Sequence, residues 1–380
     1  MENNENKRVA VSFAAIDPYI QSNIVKPTEN KWHGRDLVEW GERNIYPDYL
    51  LDLSKNVSSL RSVINGTANF IIGDGQIIAP LPGTSYGPGI MNRKGDTIRS
   101  QVEGLALDFE TYGGFALQVI RGRGGAPVEV YYIDIRFLRS NKENTVFYYC
   151  ENWKQGRKKV IEYPAYQPIS PERWAKLTPK ERDRNAASIL FVKNTTTQVY
   201  PFPVYGAAVK ACETERAIDD YFLNAINNDF MGSYIVNFNN GAPSDEIKKE
   251  IERNFNEKFT GHENAGRVVI SWNENKESAA TIEPLKTEDF GDKFQALSKH
   301  CRQQIFTAFR ANPNLFGIPT ESLGFSQEEY ESAFRLYNRT CVKPVQRIIC
   351  DAYDKIYGAA GVLNIQPFTL EETANEQTVN

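Results

Sequence analysis

Four places in this sequence bring together side chains that could do chemistry. Asp219-Asp220 and Glu288-Asp289 are paired carboxylates, His300 adjoins Cys301, and Gly122-Arg123-Gly124-Gly125 is a glycine run of the kind that can cradle phosphate. Each fails on spacing. Adjacent residues in a helix point in different directions, so neither acidic pair converges on one metal ion and His300 cannot act as base for Cys301. The glycine run lies between two strand patterns with no helix after it, so it reads as a hairpin turn. The chain has no G-x-x-x-x-G-K-[ST], no strand-borne G-x-G-x-x-G, no H-E-x-x-H and no G-x-S-x-G. No catalytic residue, metal or cofactor is therefore assigned.

Composition narrows the class further. The 380 residues carry 44 Lys and Arg against 48 Asp and Glu, a formal charge of −4, with 41% hydrophobic and 24% charged residues, as in ordinary globular chains. So small a charge argues against a strongly basic nucleic-acid binder, and any contact with DNA has to be local or loose. No apolar run reaches the length of a membrane span, and no apolar segment of a secretory signal follows Met1–Arg8. Five scattered cysteines (Cys150, Cys212, Cys301, Cys341, Cys350) and three histidines suit neither a disulfide framework nor a zinc site.

The elements that must position anything functional fall into two halves. Residues 1 to 30 are polar and Asn-rich and read as an extended arm. Two amphipathic helices fit between Pro47 and Gly73, and a third at about 97 to 112 puts Ile98, Val102, Leu105 and Phe109 on one face before Gly113-Gly114 stops it. Antiparallel strands follow at about 115–121, 127–133, 145–151, 158–162 and 188–193, with a proline-rich stretch at 163–187 read as a long loop or short helical excursion. Trp32, Trp40, Tyr46, Tyr148, Tyr149, Trp153 and Tyr163 lie in this half as either interface patches or core. This half is α+β.

The second half reads as a helix at 204–230, a strand at 234–238 and a helix at 244–259 with Ile247, Ile251, Phe255 and Phe259 in one stripe. Strands at 267–272 and 280–285 precede a helix at 287–311. The last helix, Ser326 to Tyr357, opens with an S-x-x-E capping box from Ser326 and Glu329 and a hydrophobic staple from Phe325 and Tyr330. Pro344 in its middle removes a backbone donor, which predicts a kink near Thr340.

The order of these elements, with several short motifs, resembles the portal proteins of tailed bacteriophages of the HK97-like family. The motifs are Asn44-Ile45-Tyr46-Pro47, Asn69-Phe70-Ile71-Ile72-Gly73-Asp74-Gly75, Tyr205-Gly206 and Asn264-Ala265-Gly266-Arg267-Val268-Val269-Ile270. The strongest are Ile305 to Arg310 and Pro313-Asn314-Leu315-Phe316-Gly317, followed by Phe334 and Pro344. Family members tend to have a second proline where this chain has Asn314. The resemblance implies an α+β portal fold: an arm (1–43), a wing (44–243), a stem of two helices (244–260 and 287–311), and a clip (261–286) between them. A tunnel loop (312–325), a long kinked helix (326–358) and a tail (359–380) complete it.

The same resemblance implies a non-enzymatic homo-oligomer, a dodecameric ring at the capsid vertex of the virion, assembled in the host cytoplasm. Double-stranded DNA would pass through it during packaging and ejection without sequence specificity, and terminase large subunit, head-completion adaptor and major capsid protein would be its partners. DNA-facing loop residues would be Asn312, Asn314, Leu315, Phe316, Ile318, Thr320, Glu321 and Ser322. Clip contacts would be His262, Asn264, Arg267, Trp272, Asn275, Lys276 and Glu283, and stem contacts between subunits Glu250, Arg253, Lys258, Lys293 and Arg302. The residues suit that assignment, because from Ala311 to Gln327 the only charge is Glu321, although without the resemblance the stretch reads as a plain surface loop between two helices. Each Lys or Arg neutralising a phosphate adds salt-sensitive affinity, which a conduit must avoid. Another phage ring or connector scaffold is the alternative, and a metal-dependent nuclease the more distant one.

Overall fold

The computed structural model describes residues 29–32, 35–41, 44–81, 84, 86–153, 159–227, 234–238, 244, 246–247, 249–251, 268–272, 290–317 and 327–369. In chain order the elements are β1 (Glu29–Trp32), β2 (Arg35–Val38), α1 (Tyr46–Asn56), α2 (Ser58–Ile72), β3 (Gly75–Ile78), α3 (Ile98–Tyr112), β4 (Gly114–Arg121), β5 (Pro127–Ile133), β6 (Leu138–Ser140) and β7 (Val146–Tyr149). There follow β8 (Ile161–Pro164), α4 (Pro171–Lys176), α5 (Pro179–Asn185), β9 (Ala187–Lys193), α6 (Val209–Asn227), β10 (Tyr234–Phe238), β11 (Val268–Trp272), α7 (Phe290–Ala308), α8 (Gln327–Tyr337), α9 (Lys343–Tyr357) and β12 (Leu363–Gln366). Two compact units divide them, one from residues 1–55, 61–206 and 310–380 and the other from 56–60 and 207–309.

The larger unit is built around α3. Thr97 caps it, its hydroxyl accepting from the Ser100 amide at 3.2 Å, and Gly113 closes it in left-handed backbone at φ 83°. Its predicted stripe of Ile98, Val102, Leu105 and Phe109 is buried against β4, β5 and the last helix. A buried relay fixes the packing: the Tyr353 hydroxyl donates to Gln101 Oε1 at 2.7 Å, and Gln101 Nε2 donates to the Val130 carbonyl at 2.7 Å. Thr97→Ala should cost about 1 kcal/mol, read as a lower thermal midpoint.

A three-stranded antiparallel sheet, β5-β4-β9, packs on this core, and the Gly122–Gly125 run is the β4–β5 turn, with the Gly122 amide donating to the Ala126 carbonyl at 2.9 Å. A second antiparallel sheet has the order β1-β2-β6-β7-β8. Its first two strands lie in residues 29–38, which the sequence pattern groups with the extended arm. They are four residues each, and β2 meets β6 through one registered pair, Val38 and Ser140, so the local period was too short to register. Tyr200 bridges that junction, donating from its hydroxyl to the Val38 carbonyl and accepting from the Ser140 amide at 2.9 Å. The short pair β3 and β12 also escaped the sequence reading, and the 163–187 stretch holds two short helices, α4 capped by Ser170 and α5 by Thr178.

The seven aromatics do not form an exposed patch among the described side chains. Trp40 is fully buried and stacks on Tyr200 with centroids 4.5 Å apart, and Tyr148 is buried as well. Trp40 and Trp153 both approach the guanidinium of Arg139, which is 1% exposed and bonded to Asn44 Oδ1 and, at 2.7 Å, to the Asn44 carbonyl. Burial pushes that guanidinium down to about 10. Tyr46, Tyr149, Trp153 and Tyr163 are half-buried, and the Trp32 side chain lies outside the described residues.

The long terminal helix departs from α geometry where Pro344 predicts it. Between α8 and α9, residues Asn338–Val342 form a π turn, and the Lys343 amide reaches back to the Asn338 carbonyl. A residue lacking its amide cannot supply the usual bond four residues back, and a wider turn absorbs the mismatch. Gly358 ends α9 at φ 69°. The capping box and staple at Phe325 and Ser326 lie outside the described residues.

In the smaller unit α6 packs on α7. Buried Cys212, Ile218, Cys301, Ile305 and Phe306 fill the seam, and all five cysteines of the chain are free thiols. Burial pushes the Cys212 thiol up to about 12, which leaves it unreactive. Glu215, 3% exposed, closes the start of α2 by accepting from Ser59 Oγ, from the Ser59 amide at 3.4 Å and from Ser58 Oγ at 3.3 Å. Strands β10 and β11 pair in parallel, in register from Tyr234 with Val268 to Phe238 with Trp272. The second strand predicted in this region, at 280–285, lies outside the described residues. The helix predicted at 244–259 is seen at 246–247 and 249–251.

Candidate functional site

The segment from Arg310 to Gly317 is where sequence and structure both concentrate unusual features. Arg310 takes left-handed backbone at φ 54°. Asn312 then caps a single 3-10 turn, Pro313–Phe316, its Oδ1 accepting from the Asn314 amide at 3.1 Å and its carbonyl from the Leu315 amide at 3.0 Å. Gly317 closes the turn at φ 73°. Both asparagines are half-buried and spend side-chain or backbone groups on the turn itself.

Leu315 and Phe316, two of the residues expected to face DNA, pack against the chain's own core in this structure. Leu315 is buried in the α3 core, and Phe316 packs edge-on against Phe70 (centroids 6.1 Å) and Tyr337 (5.7 Å). Its ring lies over Gly66 of α2, where an added Cβ would sit 2.5 Å from the Phe316 ring. Ser62 Oγ donates to the Phe316 carbonyl at 3.4 Å. Leu315 and Phe316 therefore form the root of the loop, since burying large apolar groups is worth more than exposing them to solvent. Ile318, Thr320, Glu321 and Ser322 lie outside the described residues.

The root is tied to the π turn. Tyr337, immediately before Asn338, shares a hydrogen bond with Thr67 at 2.7 Å and stands near the carboxyl of Glu110 and the guanidinium of Arg310. Phe70 is the hub, with Phe316, Phe334, Tyr337 and Phe368 around it at 5.2–6.4 Å. Sequence reasoning gave no role to Gly66 or Glu110 and noted Phe70 only within a motif; a glycine inside the strong α2 pattern was the available signal.

Of the stem residues, Glu250 is exposed on its helical stretch, and Arg302 is exposed on α7 with Nη2 donating to Ser298 Oγ at 3.0 Å. Lys293 lies on α7, its side chain outside the described set, as are Arg253 and Lys258. Trp272 ends β11, while His262, Asn264, Arg267, Asn275, Lys276 and Glu283 lie outside the described residues. Among the described residues no three His, Cys, Asp or Glu side chains come together to hold a metal, and no helix is long and apolar enough to cross a membrane.

A family model described as phage portal protein matches residues 94–368. The chain belongs to the phage portal protein family. Its function is that of a portal at the capsid vertex, and the family is a structural one. Among solved structures, a chain from the virion of a native gene transfer agent particle shares 16% identity at a TM-score of 0.51, over 90% of this portal chain and 85% of that one. An HK97-family phage portal protein from Corynebacterium diphtheriae shares 11% identity at a TM-score of 0.46, over 83% of this chain and 93% of that one. The first of these likenesses establishes a shared mixed helix and sheet fold. No curated protein matches the sequence significantly.

Proposed function

We propose that copies of this chain close into a dodecameric ring in the virion, through which double-stranded DNA enters during packaging and leaves during ejection. The observation that carries this reading is the family match, which runs from residue 94 to 368 and takes in the proposed stem, clip, tunnel loop and kinked helix together. In this reading the loop after the Phe316 root meets the DNA. Its single charge between Ala311 and Gln327, Glu321, suits a surface that touches phosphate without gripping it. The chain performs no catalysis of its own in this role.

Residues 261–286 are the proposed clip, docking terminase large subunit during packaging and the head-completion adaptor afterwards, while the major capsid protein surrounds the ring. Electron microscopy of the purified protein, with mass from light scattering, tests the ring: annular particles with a hole wide enough for a duplex are expected, and a compact monomer under all assembly conditions removes the reading. Charge reversal at Arg267 or Glu283 is expected to weaken terminase or adaptor docking while leaving the rings intact. Unchanged docking in both variants removes the clip assignment.

A further inference from the structure

The last turns of α6 carry three consecutive large apolar residues that are exposed: Tyr221 (51% exposed), Phe222 (36%) and Leu223 (58%). Scattered single apolar residues on a surface are ordinary, but three in a row on one helix are not. At about 100° per residue they sweep about 200° of the helix circumference, so Tyr221 and Leu223 face nearly opposite directions. Tyr221 is the side turned toward α7, stacking on Phe294 with centroids 4.9 Å apart, and Phe222 meets the edge of the same ring at 5.5 Å. Leu297, 40% exposed, is three residues beyond Phe294 and so extends that face along α7. Leu223, 58% exposed, is on the far side of the helix.

We propose that these two faces are the two halves of one contact between copies of this chain, the Leu223 side of one copy seating against the Tyr221–Phe294–Leu297 side of the next. Two unlike apolar faces on opposite sides of one helix fit a head-to-tail interface, which uses a different patch on each partner and closes into a ring when the rotation allows. A two-fold dimer would use the same patch twice and leave the other side wet. The inference rests on the ring reading above and names the surface that makes the ring.

A photo-crosslinking phenylalanine analogue placed at position 223 of the full chain tests it. Irradiation of assembled particles should give a ladder of linked copies on a denaturing gel, with linkage sites mapping to Tyr221, Phe294 or Leu297 of another copy. Leu223→Asp, at an exposed site that leaves the fold undisturbed by circular dichroism, should raise the concentration needed for assembly at least tenfold. Lys210→Ser, exposed on the same helix, should not. Rings that form normally with Leu223→Asp, or rings whose cross-links stay within one chain or go to a different surface, overturn the proposed interface and leave the ring standing. A wild-type chain that stays monomeric by light scattering removes the ring reading, and this interface with it.

Discussion

Gly66→Ala should destabilise the protein by about 2 kcal/mol in the native background, yet stabilise it by up to about 1 kcal/mol once Phe316 has been replaced by alanine. Two effects oppose one another at this position. Glycine in a helix interior costs about 1 kcal/mol relative to alanine, so α2 alone would favour the substitution. Against that, a Cβ at residue 66 would sit 2.5 Å from Cδ1 and 2.7 Å from Cε1 of Phe316, a distance no real contact tolerates. The ring cannot simply swing aside, because Phe70 and Tyr337 hold its other surfaces and the Leu315 side chain beside it is buried. Relieving the clash means lifting the 3-10 turn, and crowding of that kind costs about 1–3 kcal/mol. Phe316→Ala alone should cost about 3 kcal/mol, the lower end for an aromatic truncation because the ring is only half-buried. Urea midpoints of the four chains form a double-mutant cycle. Equal effects of Gly66→Ala in both backgrounds would mean that Phe316 does not occupy the slot.

That pair also shows what a sequence can and cannot disclose. α3 was legible because its signals are local: four stripe residues at helical spacing and Gly113-Gly114 after them. Pro344 was legible for the same reason, and a π turn sits where the missing amide demands one. The portal family was readable from an ordered series of short motifs, none specific alone. By contrast, a run of asparagines, a proline and a glycine around Leu315 and Phe316 reads as exposed loop. Only the folded chain brings Gly66 and Phe70 of α2 beneath it, and no local period encodes that meeting. The strands β1, β2, β3, β6 and β12 are only three or four residues long and lack the flanking run of Val, Ile, Tyr and Phe that marked β7, and their existence depends on partners far along the chain. Glu110 was invisible for a related reason: at the polar end of a helix pattern an acid looks solvated, and only packing shows that it is not.

Glu110→Gln should leave stability unchanged near pH 4 and raise it by a few kcal/mol at pH 9. The side chain is 4% exposed on α3, and burial alone pushes its carboxyl up to about 8. In the unfolded chain the same group ionises near pH 4.3. Between those two values the folded state holds a proton that the unfolded state has lost, so the slope of unfolding free energy with pH is negative, about 1.4 kcal/mol per unit. The loss begins above the unfolded value and is complete once the folded carboxyl has ionised, above about pH 8. A glutamine of nearly the same shape has no proton to exchange and therefore no such slope. Asp108, two residues earlier and also raised by burial, is present in both chains, so the difference between them isolates Glu110. The consequence reaches the loop root, because the Glu110 carboxyl stands near the Tyr337 phenol that packs on Phe316. Ionising it places an unscreened charge beside the aromatic cluster that anchors residues 313–317, and alkaline pH should loosen that anchor before the rest of the unit unfolds. Urea titrations of both chains at pH 5, 7 and 9, followed by near-ultraviolet circular dichroism of the aromatic cluster, check both parts. A stability difference that stays constant across the three pH values would show that Glu110 is ionised in the fold throughout and would sink the account.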